Sequence, residues 1–340
     1  DGTEITFDFD DGTAGNQGGT ITLGGTQLEI TTDVTIDADG NSRVLAITNT
    51  DATINGLTIT GGYVTGSGSN GGGVYLSSSG YDVTISNSVI ANNAGYQGGG
   101  IYVGQGGSGG SLTIDNSTIS NNSAEVNGGG VMSTADMTIT NSSVINNTAG
   151  SLKSGNGAGV YALVSSLTVT NSLIANNTGS SSSGGGIQQS TIHFYETLDI
   201  TDTTITGNSG HQLNINGNNI TANVTDSVFA ASGSGVNDSI NNYGSLTFNG
   251  TVVASNGTDN KGSLSLPNST ILSYETDLSV IFAGTTITDG ITGGTISTVN
   301  GRQTALTNPL GPAGGIGASA APADNNTPTI SIDDAAPLAY

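Results

Sequence analysis

Gly71-Gly72-Gly73-Val74-Tyr75 returns as Gly98-Gly99-Gly100-Ile101-Tyr102, Gly128-Gly129-Gly130-Val131-Met132, Gly157-Ala158-Gly159-Val160-Tyr161 and Gly184-Gly185-Gly186-Ile187-Gln188. The last small residue of each phrase falls at 73, 100, 130, 159 and 186, so the steps are 27, 30, 29 and 27 residues. A period of this size marks a chain of stacked, similar turns. A second phrase keeps the same beat: Thr84-Ile85-Ser86-Asn87-Ser88-Val89-Ile90-Ala91-Asn92-Asn93 recurs at Thr113–Asn122, Thr138–Asn147 and Thr168–Asn177. Degenerate copies surround Asp202-Thr203-Thr204-Ile205 and Asp226-Ser227-Val228-Phe229, weaker ones lie near Asn249 and Asn268, and an earlier one is Gly56-Leu57-Thr58-Ile59. Repetition therefore runs from about residue 50 to about residue 275 and is strongest from 71 to 190.

Within each phrase, short apolar β-branched residues alternate with hydroxyls, the period-two pattern of half-buried strands. Helix formers are thin while Thr, Val and Ile are plentiful. Short strands separated by Gly, Asn and Ser clusters at this interval predict an all-β fold, a right-handed parallel β-helix with about three strands per coil. At one strand spacing per coil the chain supplies roughly 11 coils, a column roughly 50 Å tall. Gly and Asn suit the turns, where φ > 0 or close backbone approach is needed. Asn87, Asn116, Asn141 and Asn171 are expected to stack and bond through their amides. Val74, Ile101, Val131, Val160 and Ile187 are expected to form one inward ladder, with Tyr75, Tyr102, Met132, Tyr161 and Gln188 pointing outward.

The two phrases resemble the repeats of chlamydial polymorphic membrane proteins, whose signatures are Gly-Gly-Ala-(Ile/Leu/Val) and Phe-x-x-Asn. The first appears here as Gly-Gly-(Val/Ile). The second appears as Ile90-x-x-Asn93, Ile119-x-x-Asn122, Val144-x-x-Asn147 and Ile174-x-x-Asn177, with Ile or Val replacing Phe. More broadly the chain looks like the parallel β-helix modules of very large secreted bacterial surface proteins. Ile5-Thr6-Phe7-Asp8-Phe9 and Thr35 to Val44 resemble the opening of such modules, and Asn300 to Leu306 their exit. The resemblance implies an extracellular adhesin or fibre scaffold at the bacterial cell surface and carries over no catalytic residue. It suggests three regions: capping and first coils over 1–49, repeats over 50–300, and a tail over 301–340.

Composition narrows the partners. Among 340 residues there are 4 Lys and Arg against 26 Asp and Glu, for a net charge of −22. Nucleic-acid binding needs cations to neutralise phosphate, so that class is excluded, and anionic lipid is disfavoured for the same reason. A surface this acidic suits high-salt or calcium-containing surroundings. There is no Cys, hence no thiol chemistry. No apolar run approaches membrane-spanning length.

An open β-helix exposes strand edges at both ends, which invites pairing with another copy unless they are capped. Ile5, Phe7 and Phe9 alternate with polar residues, as a strand covering the first coil would. Five of the six prolines fall after residue 308. Within that tail Thr329-Ile330-Ser331-Ile332 alternates like a strand, so Ile330 and Ile332 are candidates for docking by strand addition on this chain or a neighbour. A homo-oligomer or filament is the expected assembly.

Four stretches of the sequence carry chemical signals. Two Gly-x-Gly-x-x-Gly matches, Gly66 to Gly71 and Gly104 to Gly109, precede strands rather than the helix a dinucleotide site requires. Polysaccharide lyases and hydrolases share the β-helix architecture, and Asp199, Asp202 and His211 are the nearest match to their carboxylate and histidine sets. The paired bases are lacking, since Arg43, Lys153, Lys261 and Arg302 lie far apart. A non-catalytic chain that requires no cofactor is therefore the expectation. Structural calcium has hard-oxygen candidates in Asp8, Asp10 and Asp11 and in Asp37, Asp39 and Asn41, though neither group fits an EF-hand loop and both read equally as polar turns. Finally, Tyr75, Tyr102 and Tyr161 form a candidate stripe for a carbohydrate or cell-surface ligand, against the plainer reading of a ladder of strand-favouring residues.

Overall fold

The computed structural model describes residues 34–48 and 50–265 apart from 78–79, 105–109, 151–154, 164, 180–183, 192–194, 231–239 and 256–257. Beyond these it describes strands Thr270–Ser273, Thr286–Thr288, Thr295–Val299, Gln303–Thr307, Ala321–Pro322 and Pro328–Thr329. No helix occurs among the described residues.

One coil shows how the phrases fold. Val74–Ser77 lies in sheet 1, Asp82–Ser86 in sheet 2 and Val89–Ala91 in sheet 3; Ala94–Gly95 then leads back to Ile101–Gly104 in sheet 1. Among the described residues, repetition of this path stacks nine strands in sheet 1 and ten in sheet 2, while sheet 3 reaches twelve with two late strands that leave the path. Neighbouring strands run parallel and in register, Val83 beside Leu112 and Ile85 beside Ile114, then Leu112 beside Met137 and Ile114 beside Ile139. The molecule is thus a parallel β-solenoid. The pairing changes only late: Gln303–Thr307 runs antiparallel to both Thr270–Ser273 and Thr295–Val299.

Alternation sends every second side chain inward. Val74, Ile101, Val131, Val160 and Ile187 are all fully buried and paired in register, the inward ladder expected from the glycine phrases. Sheet 3 adds Ile59, Ile90, Ile119, Val144, Ile174 and Ile205, and sheet 2 contributes such pairs as Leu112 and Ile114. These residues make one continuous core. Toward the later coils the core takes larger groups, and Phe229 meets Phe248 edge to face at 5.8 Å.

Two buried polar ladders flank the sheet 3 strand in each coil. At its start, the hydroxyls of Ser88, Ser117, Ser142, Ser172, Thr203 and Ser227 each donate to the carbonyl two residues earlier, at 2.6–2.8 Å. Each hydroxyl oxygen also accepts a backbone N–H from the preceding coil, as Ser117 Oγ does from Ser88 at 3.1 Å. At its end, the side-chain amides of Asn93, Asn122, Asn147 and Asn177 each donate to the next Asn Oδ1, through to Asn208, at 2.9–3.0 Å. Gln212 closes this ladder, accepting from Asn208 Nδ2 at 2.7 Å. Both ladders satisfy polar backbone that the corners would otherwise leave buried without a partner.

The outer corner asparagines behave largely as the sequence predicts. Asn87, Asn116, Asn141 and Asn171 take φ of 50°, 45°, 51° and 48°, a conformation Asn tolerates better than most residues. Asn116 donates to Asn87 at 2.7 Å and Asn171 to Asn141 at 2.8 Å. The row is not uniform, because Asn141 donates instead to the Asp115 carboxylate at 2.9 Å. The glycines answer to packing: a Cβ on Gly100 would lie 2.7 Å from the Gly130 carbonyl oxygen and 2.9 Å from Asn122 Nδ2.

Candidate functional surfaces

The tyrosine stripe lies outside the core, yet it is not a solvated face, which corrects the outward reading. Met132 and Tyr161 are only 3% and 6% exposed, Gln188 is buried, and Tyr75 and Tyr102 are half-buried. The cover comes partly from the phrase itself. Gly98, Gly128 and Gly157 take positive φ and turn the chain back, so that an added Cβ would approach the Cβ of Tyr102, Met132 and Tyr161 to 2.6–2.7 Å. Tyr75 and Tyr102 stack with ring centroids 5.7 Å apart. The Arg43 guanidinium caps the stack, 4.4 Å above the Tyr75 ring, with Nη2 donating to the Asn70 carbonyl at 2.7 Å. Burial raises the phenol pKa of Tyr102 and of Tyr161. Such a stack is suited to holding the turn before sheet 1 and presents little ring face to a ligand.

Sheet 2 turns hydroxyls, amides and carboxylates outward. Thr53, Thr84, Thr113, Thr138 and Thr168 form one column in register, continued by Asp199 and Asn223. Asp199 accepts from Asn223 Nδ2 at 2.9 Å, and Asp202 occupies the corner position of Asn171 with φ 50°. His211 is buried in sheet 1, beside Gly184. The three residues nearest to a hydrolase set therefore serve three separate places in the coil. Hydrogen bonds from Asn141 and Thr140 hold the Asp115 carboxyl below the usual range. Desolvation, with Asp136 nearby, raises Glu196 despite its bond from Ser166.

Of the calcium candidates, Asp37, Asp39 and Asn41 form a turn. Asp37 Oδ1 accepts the Asp39 N–H at 2.9 Å, Asp39 has φ 48°, and the Asn41 N–H reaches the Ala38 carbonyl at 3.0 Å. Among the described residues no group of three His, Asp or Glu side chains is placed to hold a metal. Asp8, Asp10 and Asp11, and the assembly candidates Ile5, Phe7, Phe9, Ile330 and Ile332, lie outside the described residues. Next to the last two, Pro328–Thr329 pairs antiparallel with Ala321–Pro322.

A cleft that sequence reasoning missed opens where sheet 1 passes into sheet 2. Its volume is about 430 Å³, and Leu163, Ser190, Thr191, Asn216, Gly217, Asn218 and Tyr243 line it. Leu163, Ser190 and Asn216 are register neighbours on successive coils, and the Tyr243 N–H donates to Ile215 O at 3.0 Å on the coil before it. Lys261 Nζ sits 4.8 Å over the Tyr243 ring and donates to its hydroxyl at 2.9 Å. The signal was present but faint: the exposed tyrosines Tyr81, Tyr195 and Tyr243 all lie just before a sheet 2 strand.

Comparison with protein families, with characterised proteins and with solved structures finds no match to this chain.

Proposed function

We propose that this chain is a non-catalytic structural protein, a right-handed β-helix building block of a bacterial surface adhesin, fibre or extracellular matrix layer. The observation that carries the reading is the buried amide ladder from Asn93 to Gln212. Five coils in succession give a corner residue to holding the next coil rather than to a ligand, the economy of a column whose task is length. The right hand follows from the general chirality of parallel crossovers. The charge of −22 suits an extracellular setting with abundant counterions, and the open ends of a β-helix supply edges for end-to-end pairing. Electron microscopy of the purified chain, with and without calcium, tests the assembly: filaments or ordered sheets are expected. Monodisperse monomers at all concentrations would refute self-assembly. Release of reducing or unsaturated ends from polysaccharides would refute the non-catalytic reading.

A further inference from the structure

The cleft at the passage from sheet 1 to sheet 2 has no part in the two ladders, and its chemistry points in one direction. Its exposed polar lining consists of amides from Asn216 and Asn218, with one aromatic ring from Tyr243 and no carboxylate; Ser190 and Thr191 lie buried beneath, and Ser190 Oγ accepts from Gln188 Nε2 at 3.2 Å. Asn216, Asn218 and Tyr243 are exposed. Gly217 keeps the floor low, since a Cβ there would lie 2.5 Å from the Thr191 carbonyl oxygen of the neighbouring coil. The volume falls within the range of small-ligand sites. Lys261 fixes the Tyr243 ring from one side. Along the same corner Tyr195, 89% exposed, immediately precedes the strand Glu196–Thr201.

Side-chain amides that both donate and accept match the hydroxyls of a sugar, and a tyrosine face matches its C–H surface. A polyanion is the poor alternative, because the chain carries −22 and Lys261 is already engaged with Tyr243. We propose that the cleft of Asn216, Asn218 and Tyr243 binds a neutral glycan, with Tyr195 extending the contact along the corner. This goes beyond the scaffold reading, and its test does not depend on whether the chain assembles.

The experiment is affinity electrophoresis of the full chain through gels containing xyloglucan, galactomannan or laminarin, with polygalacturonate as the acidic comparator. Retardation by at least one neutral polymer is expected. Tyr243→Ala weakens it roughly tenfold, the scale of one lost aromatic contact, while Tyr243→Phe keeps most of it. Tyr63→Ala, a 54% exposed tyrosine preceding a different corner, leaves it unchanged. Melting curves confirm folding, and the exposed Asn218→Ala carries the test should Tyr243→Ala fail to fold. Retardation by no neutral polymer, by polygalacturonate alone, or equally for Tyr63→Ala and the cleft variants overturns the proposal.

Discussion

Replacing Asn147 by Ala tests the ladder where it is most demanding. Asn147 is fully buried. Its Oδ1 accepts the Asn122 backbone N–H at 2.9 Å and Asn122 Nδ2 at 3.0 Å, while its own Nδ2 donates to Asn177 Oδ1 and to the Ile119 carbonyl, both at 3.0 Å. Truncation removes all four bonds. Two losses are partly covered: Asn122 Nδ2 keeps the Ile90 carbonyl, and Asn177 Oδ1 keeps the Asn147 backbone N–H. The Ile119 carbonyl lies within a sheet 3 strand paired in register with Ser143–Ile145, so the buried Asn122 N–H is the group left most exposed to the loss. At about 1–3 kcal/mol for the buried N–H left unsatisfied and about 0.5–1 kcal/mol for each of the other three lost bonds, the cost comes to about 3–6 kcal/mol. The neighbouring Asn146 supplies the control within the same dipeptide. It is exposed with φ 57°, so Asn146→Gly changes stability by less than about 0.5 kcal/mol. Urea unfolding followed by far-UV circular dichroism gives the difference. Hydrogen exchange localises it, because a stacked column can open over a few coils before it unfolds as a whole. At 1.4 kcal/mol per tenfold, exchange around residues 119–147 accelerates by roughly two to four orders of magnitude. A loss below 1 kcal/mol for Asn147→Ala, or an equal loss for Asn146→Gly, would show that the ladder is incidental to stability.

Further outcomes follow from the same geometry. Gly130→Ala destabilises although its φ is not left-handed, because the new Cβ would lie 2.7 Å from the Gly159 carbonyl oxygen and 3.0 Å from Asn147 Nδ2; Gly40→Ala, with nothing within 4 Å but φ 72°, costs only about 1 kcal/mol. Calorimetry ranks the two, and a larger loss at Gly40 contradicts the steric argument. Ile139→Ala removes a fully buried core side chain and costs about 2–5 kcal/mol in the same urea assay. Glu196 has its folded pKa raised by desolvation first, so its contribution is present below the unfolded pKa and is lost as pH rises through the folded one. Melting of wild type relative to Glu196→Gln therefore falls as pH rises from about 4 to 6. Asp115, lowered by its bonds from Asn141 and Thr140, works in the opposite sense: its contribution is present above the unfolded pKa and fades on acidification. Asp115→Asn therefore loses less stability on acidification than wild type does, and parallel acid melting curves for the two would contradict this.

The fold was legible because its determinants are local and repeated. Val74 and Ile101 alternate with polar or covered neighbours on a regular beat, and one register places them all. The tyrosine row was misread for a physical reason. Alternation says which side of a sheet Tyr102 occupies, but not what lies over that side; the turn at Gly98, with φ 59°, brings backbone down onto it. The buried Asn ladder was half legible. The second Asn of each pair was visible as part of a repeated motif, yet a polar residue in a turn-rich phrase reads as a surface turn until the corner geometry is known. The cleft was hidden because Ser190, Asn216 and Tyr243 are 26 and 27 residues apart in sequence and meet only through stacking.

The spacing between the two polar ladders explains where such a site can arise. Ser88 to Asn93, Ser117 to Asn122, Ser142 to Asn147, Ser172 to Asn177 and Thr203 to Asn208 are each separated by five residues. From one ladder Asn to the next, however, the step varies over 29, 25, 30 and 31 residues. A residue gained or lost between the ladders would break two rows of buried hydrogen bonds at once and turn the sheet 3 side chains inside out. Sheet 3 is thereby held to one length, and all variation in coil length is expelled to the path through sheets 1 and 2 and their corners. That path is the part of the column free to differ from coil to coil, and the cleft between Ser190 and Tyr243 lies on it.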